Sequence, residues 1–257
     1  MAERMSLSRR TQSTLLSIAG AASLVLVWAM AGAWTSFIAP IGEVLAELPA
    51  FLGDADMWAA VGETWVRVMI SLVLGLLLGV LVAVVMWRSS FWGRVAGVYV
   101  SVFVTVPSTI TALMAVSFFR NVELGAVVVL VATIFPFVAL VVLAALRTMD
   151  PGLLEMASSY RYSRWQRWCE VIIPQIAGAF MTALRNEHAH VWKVVVVVEI
   201  FLVSSGMGFA FDRAFGRFKL VDVMLWLIVF AAILLATEYL VIRPLENKAQ
   251  RWKGIPQ

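Results

Sequence analysis

The chain is poor in the groups from which active sites are commonly built. Its 257 residues include one cysteine, Cys169, and two histidines, His188 and His190. A single thiol excludes an intrachain disulfide and any multi-cysteine metal site. The string "EHAH" is not the H-E-x-x-H of zinc peptidases, and membrane di-iron or zinc enzymes need several His or carboxylate ligands at helical spacing. There is no G-x-x-x-x-G-K-[ST] motif and no G-x-S-x-G elbow, so the chain has no phosphate loop of its own and an enzyme reading has little to stand on. Charged residues make up only 14%, against about a quarter in a soluble domain, which excludes a sizeable soluble domain. No repeat with a period of 20 to 50 residues is apparent.

What the chain has is apolar residues, 62% of the total, at a mean hydropathy of +0.91. It reads as an integral membrane protein. Six runs stand out: Ser13 to Trp34, Arg67 to Trp87, Val95 to Phe119, Leu124 to Leu146, Ile176 to Val203 and Val221 to Ile242. Each has the ~20 residues that a helix needs to cross ~30 Å of hydrocarbon, where backbone groups find no other hydrogen-bond partners. The expected fold is therefore all-α, a polytopic bundle of six transmembrane helices forming one domain over residues 1–257.

The basic residues orient it. Arg4, Arg9, Arg10, Arg88, Arg94, Arg147, Arg161, Arg164, Arg167, Arg243, Lys248, Arg251 and Lys253 fall on one side of a six-span arrangement, and Arg120, Arg213, Arg217 and Lys219 on the other. Thirteen against four places both termini in the cytoplasm. The outer loop Thr35 to Val66 carries Glu43, Glu47, Asp54, Asp56 and Glu63 and no basic residue, with a short surface helix expected around Ile41 to Ala50. Trp28, Trp34, Trp58 and Trp65 gather at outer ends, and Trp87, Trp92, Trp165, Trp168 and Trp252 at inner ones, as interfacial anchors do. Because the positive charges flank apolar runs, the +4 net charge points to anionic lipid and the insertion machinery, not to nucleic acid. The first run also has features of a signal peptide, with Ala29-Met30-Ala31, but its length and the even span count argue for retention. Gly75-x-x-x-Gly79 permits close approach of a second helix, ordinary packing being the simpler account.

Residues 148–175 form a long basic and aromatic cytoplasmic loop between two apolar runs. Asp150-Pro151 is a helix start, and "PGLLEMASSY" offers about two and a half turns with a narrow stripe of Leu153, Met156 and Ala157. Too short and polar to span, this helix either rests on lipid or docks a cytoplasmic partner.

The loop resembles that of bacterial ABC-importer permeases, whose pattern is Glu-Ala-Ala, three residues, Gly, nine residues, Ile, one residue, Leu-Pro. Glu155, Met156 and Ala157 take the first three places, Val171 the isoleucine, Ile173 the leucine and Pro174 the proline, with the spacing unbroken. Arg161 stands at the glycine. "TWVRVMISLVLGLLLG", "VTVPSTITAL", "ALRTMDPGLLEMA", "WKVVVVVEIFLVSSGMGF" and "LENKAQRW" are similar to the family's second span, broken third span, loop entry, fifth span and tail, most of all in the nitrate/sulfonate/taurine branch. The resemblance implies a multi-pass permease subunit of the bacterial inner membrane that passes a small polar, anionic solute inward by alternating access. It implies a separate ATP-binding cassette ATPase, which holds ATP and Mg, a second permease copy or related permease, and a periplasmic solute-binding protein. This chain is then expected to bind no cofactor of its own and not to be an enzyme. A coupling helix over 150–164 meets the ATPase through Glu155, Met156, Ala157, Tyr160, Arg161, Arg164 and Pro174. Since glycine permits a tight bend and arginine does not take a positive φ as cheaply, the bend differs here, or the helix runs longer, or Arg161 offers a contact of its own.

The fifth run carries Arg185, Asn186, Glu187, His188, His190, Lys193 and Glu199. A charge at mid-bilayer costs roughly 2.5–3.5 kcal/mol on insertion scales, so these residues face protein or water. At ~100° per residue, Arg185, His188, Trp192 and Glu199 share one face, and Asn186, His190 and Lys193 another. Arg185 and Glu187 sit either at the headgroups or in the bundle; Lys193 and Glu199 either pair structurally or meet solute, and with His188 and Trp192 they are the candidate translocation-pathway residues of this run. Around Pro107, which breaks the third run, Thr105, Ser108, Thr109 and Thr111 either line the translocation pathway or return hydrogen bonds to their own helix. Two other classes stay open: a membrane enzyme using the fifth-run histidines, and a structural or regulatory membrane protein. A third possibility is one half of an unlike permease pair.

Overall fold

The computed structural model describes residues 37–250 and, of the first apolar run, residues 16, 19–20, 22–23, 25–32 and 34–35, with the side chains of residues 116 and 248–250 excepted. Part of the expected first span lies outside the described residues, as do Arg4, Arg9, Arg10, Arg251, Trp252 and Lys253. Among the described residues every regular element is helical. In chain order the helices are α1 (Ile41–Leu52), α2 (Ala55–Arg88), α3 (Ser90–Thr105), α4 (Ser108–Phe118), α5 (Val122–Arg147), α6 (Pro151–Ser159), α7 (Ile173–Phe201), α8 (Met207–Gly216), α9 (Leu220–Thr237) and α10 (Arg243–Gln250).

Among the described residues three stretches are long and apolar enough to cross a membrane singly: α2, α5 and Leu220–Asn247. α3 and Ser108–Ala115 of α4 would together make a fourth, but they meet at 95°. The expected third span is thus not a straight rod. Val106 and Pro107 are extended, because the Pro107 ring disfavours the helical region for the residue before it. α7 has the length to cross, about 43 Å at 1.5 Å per residue, and is set apart from the apolar group by its charges.

α2 is longer than expected. It starts at Ala55, behind Asp54, whose side chain accepts the Asp56 N–H at 2.9 Å, so the outer loop does not run to Val66. α1 fits the expected surface helix, two residues longer. α8 adds to the expected elements: the fifth run ends at Phe201, and a turn at Gly206 starts a further short helix.

The core forms where α5 packs along α2 on one side and α7 on the other. Gly75 and Gly79 make the first contact possible. A Cβ on Gly75 would lie 2.6 Å from Ile134 Cγ2, and one on Gly79 2.5 Å from Val138 Cβ and 2.8 Å from the Phe135 carbonyl oxygen. Val68, Leu72, Leu130, Ile134, Val138, Val191 and Val195 fill the seam.

Two wide π-helical turns, Arg167–Ile172 and Glu238–Ile242, each precede a proline by two residues or fewer, Pro174 and Pro244. A proline ring collides with the carbonyl four residues earlier in a regular helix, and a widened turn gives it room.

Candidate functional site

α6 is an exposed helix where the loop pattern predicts one, and its ends are built by named residues. The Asp150 carboxylate accepts the Gly152 N–H at 2.8 Å, and Pro151 occupies the first helical position, where its missing N–H costs nothing. The Asp150 N–H donates to Gln175 Oε1 at 3.0 Å, tying the start of α6 to the start of α7. Ala157 is fully buried against the body, while Glu155, Met156 and Tyr160 face outward, Tyr160 being 74% exposed.

α6 stops at Ser159, so the expected helix over 150–164 is corrected to Pro151–Ser159. Its C-terminus closes with two bonds: the Arg161 N–H donates to the Ser158 carbonyl at 3.1 Å and the Tyr162 N–H to the Ala157 carbonyl at 3.0 Å. That is a Schellman motif with Arg161 in the left-handed position, at φ +56°. The glycine-type bend is therefore kept, and the expectation that arginine alters it or lengthens the helix is overturned. The two capping bonds and the seating of Ala157 hold a conformation that costs an L-residue about 1–2 kcal/mol. Arg161→Gly is expected to stabilise the chain by up to about 1 kcal/mol, read as a higher thermal midpoint, partly offset by the greater freedom of glycine when unfolded.

Beyond Tyr162, Ser163 opens a new turn with a capping box: its hydroxyl accepts the Gln166 N–H at 3.2 Å, and its own N–H donates to Gln166 Oε1 at 2.9 Å. Arg164–Gln166 and the wide turn then run without a break into α7. Arg164 is exposed, and Pro174 is the second residue of α7. The 148–175 loop thus holds α6 and the root of α7. Between α6, the end of α5 and that root lies a cavity of about 860 Å³, lined by Met149, Leu153, Met156, Cys169 and Pro174 among others. Trp168 meets Trp87 edge to face, 6.3 Å between centroids, and Arg88 lies over its ring.

The charges of α7 are distributed over separate partners. Arg185 bonds Glu238 at 3.0 Å and Glu246 at 3.3 Å, and Glu187, 5% exposed, pairs with His190 at 3.1 Å. Arg185 is thus tied to the C-terminal turns, with its side chain still 43% exposed, and Glu187 is buried in the bundle. His188 is fully buried. The Trp192 indole N–H donates to its Nε2 at 3.1 Å, so Nε2 is an acceptor and the proton sits on Nδ1, which faces Glu238 at 3.7 Å. The face expected for Arg185, His188, Trp192 and Glu199 is the packed one. Lys193, on the other face, is exposed.

Glu199 is 0% exposed and forms an ion pair with Arg67, which is 5% exposed. Its carboxylate also accepts the Thr64 hydroxyl at 2.9 Å and the Gly208 N–H at 2.8 Å, while the Met207 N–H donates to Thr64 Oγ1 at 2.8 Å. Arg67 reaches in addition to Glu123 at 2.9 Å and to Ser205. One network thereby joins α2, the start of α5, α7 and the turn into α8. Gly206, at φ +92°, passes so close that a Cβ there would overlap the Glu199 carboxylate. Sequence reasoning found Glu199 and missed Arg67, Thr64, Glu123 and Gly206. A basic residue at the edge of an apolar run was the available signal, but its partners lie 56 and 132 positions away.

Around the break after α3, Thr105, Pro107 and Thr109 are exposed and Ser108 is half-buried. The Thr105 hydroxyl donates to the Ser101 carbonyl at 2.8 Å and Thr111 to that of Pro107 at 3.4 Å, so both return bonds to the backbone.

Residues 75–243 match the family model described as binding-protein-dependent transport system inner membrane component. The taurine transport system permease protein TauC of Escherichia coli (strain K12) is 27% identical over 95% of this chain and 92% of its own length. The putative aliphatic sulfonates transport permease protein SsuC of the same organism is 28% identical over 89% of this chain and 88% of its own. Among solved structures, a bacterial ABC transporter involved in alginate import superposes with a TM-score of 0.68, covering 89% of both chains at 15% identity. An inward-facing methionine ABC transporter gives 0.61 over 74% of this chain and 97% of its own, at 18% identity. These two establish likeness of fold, while the family match spans about two-thirds of the sequence, from within α2 to the start of α10. The chain belongs to the binding-protein-dependent transport system inner membrane component family and is a permease subunit of an ABC importer.

Proposed function

We propose that this permease carries a small anionic solute of the sulfonate class inward across the bacterial inner membrane by alternating access, driven by a separate ATP-binding cassette ATPase seated on α6. The observation that carries this reading is α6 itself. It is a two-and-a-half-turn helix, fixed to the body by Ala157 and the Asp150–Gln175 bond, with the Glu155, Met156 and Tyr160 side chains turned outward. A short capped helix transmits displacement without stretching, and its continuation through Ser163–Ile172 delivers that displacement to α7. In this assembly the ATPase holds ATP and Mg, a second permease copy completes the pathway, and a periplasmic binding protein delivers the solute. The sulfonate assignment is supported by the names of the two curated relatives.

The test is isolation of the chain from its native membrane, followed by reconstitution of what accompanies it. Co-purification of an ATPase, with ATP-dependent uptake of sulfonates into proteoliposomes supplied with the binding protein, is the expected result. A chain that purifies with no ATPase, or a complex that hydrolyses ATP and moves no anion, overturns the reading.

A further inference from the structure

Of the charged residues of α7, Arg185, Glu187 and Glu199 each have an ion-pair partner; Lys193 has none among the described residues. It lies about 12 Å along the axis from the Phe201 end, well inside the helix, where a cation must face protein, water or an anion. Its side chain lines a cavity of about 230 Å³ whose other walls are Val196, Met207, Phe211, Trp226, Leu227 and Phe230. Among the described residues no carboxylate and no hydroxyl lines it. The pocket thus offers one positive charge and three aromatic rings. Its wall is also held in place: Met207 begins α8, and its N–H is bonded to Thr64, which bonds Glu199.

We propose that this pocket is a binding site for an anion with an apolar body, an alkyl- or arylsulfonate or the corresponding carboxylate, with Lys193 holding the acid group and Trp226, Phe211 and Phe230 enclosing the tail. The inference deepens the proposed transport reading and rests on it for the identity of the occupant as cargo. An ammonium at an apolar wall with no internal counter-charge is best satisfied by a ligand that brings one, and the wall rewards a ligand with a tail. The pocket also separates two kinds of sulfonate: a second, cationic group on the ligand would be placed against Lys193 or in an apolar wall, so a zwitterion such as taurine is disfavoured.

The experiment measures equilibrium binding of radiolabelled benzenesulfonate to the ATPase-bound complex in neutral phosphatidylcholine vesicles, without binding protein. Saturable binding is expected, weakened at least tenfold by Lys193→Met and within threefold of wild type in Lys193→Arg, with taurine competing at least tenfold less well than pentanesulfonate and pentanol not competing. Equal binding by Lys193→Met, or competition by pentanol as strong as by pentanesulfonate, overturns the site. Loss of binding in both variants, with the assembly intact, overturns the counter-charge role. Adding phosphatidylglycerol tests the other source of such an anion: if it displaces the probe and Lys193→Met leaves sulfonate uptake unchanged, the occupant is lipid and the cargo assignment falls. Sulfonate uptake by the wild-type complex, with binding unchanged in Lys193→Met, would leave the transport function standing and sink this inference alone. A complex that imports no anion would instead sink the transport reading.

Discussion

Arg67→Met is expected to destabilise the chain by about 3–5 kcal/mol, and Glu199→Gln by clearly less, about 1–3 kcal/mol. The asymmetry follows from the geometry. Glu199 is wholly buried and Arg67 is its only cationic partner among the described residues, so removing the guanidinium strands a carboxylate inside the bundle. Arg67 has a second acid, Glu123, whose side chain is 55% exposed, so it stays compensated when Glu199 is neutralised. With its oxygen in the Oε2 place, the amide introduced by Glu199→Gln would keep an acceptor for the Thr64 hydroxyl and the Gly208 N–H, and the loss expected comes from its NH2 group meeting the Arg67 guanidinium at the other. The double variant Arg67→Met with Glu199→Met is expected to be more stable than Arg67→Met alone, because two apolar side chains leave no orphaned charge. Thermal unfolding of the purified chain in one detergent, across the four proteins, reads the order directly. Equal losses in the two single variants, or no loss in Arg67→Met, would show that the network is not holding α8 to the spans.

Glu155→Lys is expected to leave insertion and folding unchanged and to cut uptake at least thirtyfold, together with the stimulation of ATP hydrolysis by loaded binding protein. The side chain is exposed and forms no ion pair within the chain among the described residues, so its reversal costs the permease itself little. Across an interface the cost is different: reversing a charge that meets a basic partner replaces attraction by repulsion, worth roughly 2–5 kcal/mol. Ser158 and Ser159 both donate to the Glu155 carbonyl, at 2.7 and 3.0 Å, so the backbone at this position is held whatever the side chain. Assays of uptake and of ATPase rate on the same reconstituted preparation decide the matter. Wild-type turnover in the variant would mean that α6 does not carry the coupling.

Several elements were legible from the amino acids because their causes are local. The start of α6 at Asp150-Pro151, the break at Pro107 and the surface helix from Ile41 each follow from a proline or a capping side chain within a few residues. The Gly75–Gly79 contact was legible as a permission, though not as to which helix takes it; only packing shows α5 there. Arg161 shows the limit of residue preference. Alone it argues against a left-handed turn, yet two backbone bonds and the burial of Ala157 outweigh that preference.

Composition and helix-start chemistry, by themselves, determined that this is a membrane-embedded helical chain with a short exposed helix between two apolar runs, because hydrocarbon and capping chemistry act on each stretch in turn. Which charges neutralise one another, that α8 folds back under Glu199, and that Lys193 is left facing an aromatic pocket were decided by tertiary structure. Those outcomes depend on contacts between residues far apart along the chain, which no local pattern records.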